Sequence, residues 1–153
     1  MYQTGEIIYF DELYFNNLIK DPKKNRPCIV LFSKLTKDKK EVIYFCKLTT
    51  SLHRFNHYSK FYHVLTQPVY NQKISFAMIS QIYTSYNSSG VHATGIVLRQ
   101  DAFDIIHKIC NHYNKEKKAH DDTKEILCYM DRFVRKEELK SSMDIKQKVK
   151  RLR

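Results

Sequence analysis

Two short apolar runs separated by a lysine-rich turn constrain this chain more than any other feature. Cys28-Ile29-Val30-Leu31-Phe32 and Val42-Ile43-Tyr44-Phe45-Cys46 lie on either side of Lys37-Asp38-Lys39-Lys40. Runs this short, rich in β-branched and aromatic residues and joined by a solvated turn, predict two buried strands paired as a hairpin. Their outer ends are polar. Asn25-Arg26-Pro27 leads into the first run, and Lys47-Leu48-Thr49-Thr50-Ser51 closes the second. Antiparallel pairing sets the start of one strand beside the end of the other, so Arg26 and the hydroxyls of Thr49, Thr50 and Ser51 are expected at one end of the sheet. A guanidinium fork beside hydroxyl groups suits a phosphate, because it can donate to two phosphate oxygens at once.

Charge narrows the choice of partner. Lys and Arg number 27 against 16 Asp and Glu, a net charge of +11 in 153 residues. The excess is spread along the chain, with +7 in residues 1–100 and +4 in residues 101–153. A basic body points to a polyanion, and to nucleic acid before a membrane, since no apolar run approaches the length of a bilayer span. The 11 Tyr and 9 Phe add rings on which unpaired bases can stack, although many of them must serve the core. Lysine-rich surface loops on an ordinary domain would give the same charge.

Several chemistries find little support. Cys28, Cys46, Cys110 and Cys128 have no paired CxxC spacing and read as reduced core residues, without disulfides or zinc. Three glycines leave no phosphate-cradling loop and no dinucleotide fingerprint, so no cofactor is expected. The N-terminus lacks a basic segment followed by an apolar one, and a cytoplasmic location is expected.

Further strands are expected at Glu6–Phe10, Phe61–Leu65, Lys73–Ile79 and Gly95–Leu98, with turns at Asn71 and at Asn87-Ser88-Ser89-Gly90. Residues 11–24 form a long connection with room for a short helical turn before a basic flap ending in Lys23-Lys24. Ser80 to Ser85 reads as the polar end of the Lys73–Ile79 strand. Between Ser51 and Lys60, His53, Arg54, Phe55, His57 and Tyr58 make a loop suited to phosphates and bases, or a plain exposed loop. His53 and His57 could equally be general bases or solvated residues. From Gln100 the apolar period becomes helical, with Ala102, Phe103, Ile105, Ile106, Ile109 and Cys110 on one face of a helix over residues 100–115. Asp121 or Asp122 is placed to cap a second helix that carries Ile126, Leu127, Met130 and Phe133. The expected class is mainly β with C-terminal helices, an α+β fold. It would comprise a small curled sheet or barrel over residues 1–115 and a helical, basic extension over 116–153, ending in five cations among residues 146–153.

In this order the segments resemble the MazF/PemK (Kid-like) toxins of bacterial toxin-antitoxin pairs. The similarity is carried by Gly5-Glu6-Ile7-Ile8-Tyr9, Arg26-Pro27, Leu48-Thr49-Thr50-Ser51, the stretch Ile74 to Ile82 with Gln81, and the strand and helix from Gly95 to Cys110. It spans roughly residues 3 to 112. The resemblance implies a homodimer of SH3-like barrels that cuts single-stranded RNA without metal and is blocked by a cognate antitoxin protein. It also implies that Arg26 and Thr49 are catalytic, with Thr50 and Ser51 close behind. Lys24, Thr50, Ser51, Gln81 and the loop residues His53, Arg54 and His57 are the residues expected to hold substrate. RNA supplies its own nucleophile, the 2′-hydroxyl, so cleavage would leave a 2′,3′-cyclic phosphate and a 5′-hydroxyl. This chain has Ser80 and Tyr83 where many members place an acidic residue and an arginine. Two other readings use the same residues: a catalytically inactive module that binds nucleic acid or protein, and a barrel toxin acting on a protein target.

Overall fold

A computed structural model describes residues 1–11, 14–15, 19–20, 27–51, 59–69, 72–115, 128, 130–140 and 143. The expected hairpin is its centre. β4 (Pro27–Leu35) and β5 (Glu41–Thr49) pair antiparallel, with Cys28 opposite Lys47 and Leu35 opposite Glu41. Both strands run longer than their apolar runs: β4 continues through Ser33, Lys34 and Leu35, whose side chains reach water, and β5 through Lys47, Leu48 and Thr49, which are buried. A register shift between Val30 and Phe32 marks a bulge that bends β4.

The remaining strands extend this pair into a seven-stranded antiparallel sheet. β1 (Glu6–Phe10) pairs β4, and β9 (Val91–Val97) pairs β1. On the far side, β6 (Tyr62–Val64) pairs β7 (Phe76–Met78), which pairs β5. β8 (Tyr83–Tyr86) pairs β5 as well. β5 is thus shared along one edge: Val42 to Phe45 take β8, while Leu48 and Thr49 take β7. Residues 80–85 are therefore not the tail of the preceding strand, as expected, because the chain turns at Ile79-Ser80 and re-enters the same edge as a new strand. Among the described residues the strand path from β6 to β9 is open, so the sheet is not closed into a barrel.

The long connection after β1 also differs from expectation. Instead of a helical turn, its described residues form a small hairpin, β2 (Tyr14–Phe15) with β3 (Ile19–Lys20). The aromatic pair Tyr14-Phe15 and the β-branched Ile19 favour the extended form there.

One face of the sheet holds a core of Ile8, Phe10, Cys28, Val30, Ile43, Phe45 and Val91, against which Tyr2 and Tyr83 pack. Phe45 is its hub, with ring centres 4.9 Å from Phe10 and 5.8 Å from Tyr83. From Ile43 to Thr49 every residue of β5 is buried, as befits a central strand covered on both faces.

Helix α1 (Arg99–Lys115) follows β9, as its period predicts. Its first turn is tied to the sheet at two points. Leu98 donates its N–H to the Gly5 carbonyl at 2.7 Å. Asp101 accepts from the Thr66 N–H at 3.2 Å and the Thr66 hydroxyl at 2.6 Å, and lies 2.8 Å from His63 Nε2. The chain divides into two compact units, Met1–Ile105 and Ile106–Arg153. In the second, residues 130–140 are helical, Met130 and Val134 are buried, and His107 Nε2 lies 3.3 Å from Glu138 Oε1. The capping aspartates 121 and 122, Ile126, Leu127 and the basic tail at 146–153 lie outside the described residues. Among the described residues no helix is long and apolar enough to cross a membrane.

Candidate functional site

β5 carries the most distinctive polar groups to one end of the sheet. Thr49, its last residue, sits opposite Phe76 of β7 and is nearly buried, while Thr50 is exposed and Ser51 half-buried. The Ser51 N–H donates to Thr49 Oγ1 at 3.2 Å. Such a turn fixes the hydroxyl oxygen and leaves the hydroxyl proton able to donate outward.

Two residues earlier stands Lys47, with no exposed surface. Alternation along β5 puts its side chain on the core face with Ile43 and Phe45, and its partner across the ladder, Cys28, belongs to that core. Its Nζ lies 4.6 Å from the centre of the Tyr83 ring. A fully buried ammonium loses several kcal/mol of hydration, of the order expected for any ion moved into protein, and an aromatic face recovers about 2 kcal/mol when desolvated. The Tyr83 hydroxyl in turn donates to Gln81 Oε1 at 3.1 Å. Lys47, Tyr83 and Gln81 thus form a line from the buried core to the exposed edge, at the gap where β5 passes from β8 to β7.

This line was not anticipated from the sequence as a functional feature. The signal was present nonetheless: Lys47 is a charged residue at an inward position of an apolar strand, followed by hydroxyls. Tyr83 stands opposite Phe45, and only the pairing of β8 with β5 reveals that it meets Lys47.

No protein-family model and no curated protein matches the chain.

Of the expected site residues, Thr49, Thr50, Ser51 and Gln81 are described: the first three close β5 at the sheet end, and Gln81 lies in the connection between β7 and β8. Lys24, Arg26, His53, Arg54 and His57 lie outside the described residues. Arg26 immediately precedes Pro27, the first residue of β4.

Two histidines that the sequence did not single out have carboxylate partners. His92 Nε2 lies 2.9 Å from Asp11 Oδ1, and its ring stacks on Tyr9 at 4.9 Å between centres. Tyr9 follows Ile8 of the core, so strand alternation turns it to the opposite face from Lys47. The His63 and Asp101 pair is buried and serves the start of α1. Burial pushes the Asp101 carboxyl up, but hydrogen bonds from Thr66 and His63 outweigh it and hold the carboxyl below its ordinary value.

The cysteines divide by position. Cys28 and Cys46 are buried in the sheet as expected, whereas Cys110 is half-buried and Cys128 exposed, so the core reading does not extend to Cys128. Burial pushes the Cys46 thiol up to about 12, which removes its thiolate at neutral pH. Among the described residues no group of three His, Cys, Asp or Glu side chains is arranged to hold a metal ion.

Proposed function

We propose that the chain is a MazF/PemK-like toxin, a ribonuclease that cuts single-stranded RNA without metal at the sheet end bearing Thr49. The observation that carries this reading is the β4 and β5 register, in which Cys28 faces Lys47. It brings the beginning of β4 and the end of β5 to the same end of the sheet, which supports Arg26, the residue before Pro27, as the partner of Thr49. In that role the guanidinium stabilises the negative charge that builds on phosphorus as the 2′-hydroxyl attacks. One such donor is worth about 3 kcal/mol, roughly a hundredfold in rate. Thr49 orients the phosphate by donating its hydroxyl, with Ser51 holding its oxygen. The overall charge of +11 favours binding of a polyanion. A homodimer, an acidic antitoxin that covers the basic site, and a cytoplasmic setting complete the proposal.

A second reading, a module that binds RNA without cutting it, draws support from Thr49 itself. Its 7% exposure leaves a small target for a scissile phosphate.

The two readings separate when purified protein and its Arg26→Ala variant are incubated with a long single-stranded RNA in EDTA and the fragment ends are mapped. Discrete cuts ending in cyclic phosphate, made by the wild type alone, are expected. RNA retained intact by the wild type would replace the ribonuclease with the binding module, and equal cutting by Arg26→Ala would remove Arg26 from the site.

A further inference from the structure

We propose that Lys47 and Tyr83 are positioning residues that aim the Gln81 carboxamide at a base beside the cleaved phosphate, making Gln81 the residue that sets the RNA sequence preference. The inference rests on the ribonuclease reading and adds to it the origin of specificity.

A carboxamide is planar and carries its acceptor and its donors on opposite sides. With Gln81 Oε1 taking the Tyr83 hydroxyl proton at 3.1 Å, the Nε2 donors turn away from the ring. Gln81 is exposed, so those donors face whatever lies against the sheet end. The group they recognise is a hydrogen-bond acceptor on a base edge, a carbonyl oxygen or an unprotonated ring nitrogen. Tyr83 links Gln81 to Lys47, its hydroxyl bonded to the carboxamide and its ring against the ammonium, and Lys47 is one inward position of β5, about 7 Å, from Thr49. Phosphate and neighbouring base would thus be served through these two adjacent inward positions.

Tyr83 can hold Gln81 only if its own ring is held. The ring stacks on Phe45 at 5.8 Å and receives the Lys47 ammonium at 4.6 Å from its centre. An apolar side chain at position 47 would fill the space without the desolvation cost of a buried charge. The lysine therefore suits a position that must be fixed rather than merely filled.

The test is a double-mutant cycle read as sequence preference. Wild type, Tyr83→Phe, Gln81→Ala and the double variant are each given an RNA pool containing every base around the cleaved motif. Binding to the same pool, with 2′-deoxy sugars that block cutting, is measured in parallel. Tyr83→Phe keeps the ring for Lys47 and loses only the hydroxyl. Each single variant is expected to lose about tenfold discrimination at one base, the worth of one positioned hydrogen bond, and the double variant no more than either. Lys47→Met is expected to lose preference at that same base; should it fail to fold, the cycle still decides. Additive losses, or an unchanged preference in Tyr83→Phe, would overturn the inference while wild-type cutting leaves the ribonuclease reading in place. A wild type that neither cuts nor retains RNA would end both.

Discussion

Gly5 lies so close to Arg99 that a β-carbon on the glycine would stand 2.5 Å from the Arg99 nitrogen and 2.6 Å from its α-carbon. The glycine also has φ of +89°, donates its N–H to the Val30 carbonyl and accepts the Leu98 N–H, each at 2.7 Å. The entry to β1, the middle of β4 and the start of α1 therefore meet on one residue that has no side chain.

Gly5→Ala is accordingly expected to be among the most damaging small changes. The left-handed conformation alone costs an L residue about 1–3 kcal/mol, and the overlap with backbone atoms adds to it. For a chain of this size, thermal denaturation should show a fall in melting temperature of roughly 5 °C or more. A variant that melts with the wild type would show that α1 can move away from β1 freely.

Asp101→Asn tests the lock between α1 and β6. Because hydrogen bonds hold the folded carboxyl below its ordinary value, its stabilisation is complete above the unfolded carboxylate range near pH 4 and is lost as pH falls through the lower, folded value. The variant should be less stable than wild type at pH 7, by about 1.5–3 kcal/mol for hydrogen bonds to a charged group. The gap should shrink steadily once the pH drops below about 4. Denaturant titrations at pH 7 and pH 3 measure both, and a gap of equal size at the two values would exclude the charge as its source.

Thiol labelling should follow burial. An alkylating reagent at neutral pH is expected to modify Cys128 first and Cys110 slowly, the latter because burial and the Asp131 charge both raise its thiol. Cys28 and Cys46 should react only in denaturant. Mass spectrometry of the digested protein would show the order, and early loss of the Cys46 thiol would contradict the closed core around β5.

Thr49→Val keeps the shape of the side chain and removes its hydroxyl. The Ser51 N–H loses its acceptor, for a stability loss of about 1 kcal/mol. Under the ribonuclease reading, RNA cutting should fall by a much larger factor, roughly a hundredfold, since a group that acts on the developing phosphate charge matters most in the transition state. Cutting at the wild-type rate by a folded Thr49→Val would remove the hydroxyl from the mechanism.

Much of the sheet and the first C-terminal helix are legible in the residues because each rests on a local period. Ile7 to Phe10, the two apolar runs of the hairpin, and the helical spacing from Ala102 to Cys110 each announce an element without help from distant parts. The hairpin turn between Leu35 and Glu41 also ties Thr49 to the start of β4, since antiparallel neighbours joined by a short turn have little freedom of register. Local pattern fails where an element has no period of its own. Tyr14-Phe15 and Ile19-Lys20 are too short to show alternation, and Tyr83 to Tyr86 is a strand only because the unpaired edge of β5 accepts it.

The composition of the candidate site follows the same division. Arg26 and Thr49 could be proposed from sequence because each stands at the end of a recognisable run, and Gln81 through the family resemblance of the stretch from Ile74 to Ile82. The line of Lys47, Tyr83 and Gln81 could not, since it joins residues 36 positions apart, Lys47 and Tyr83, across a sheet split in which β5 gives one edge to two strands. Sequence by itself determined the strands, the helix and the excess of positive charge, all of which depend on neighbours within a few residues. Tertiary structure alone decided which buried cation meets which ring, because that depends on the order of strands in space.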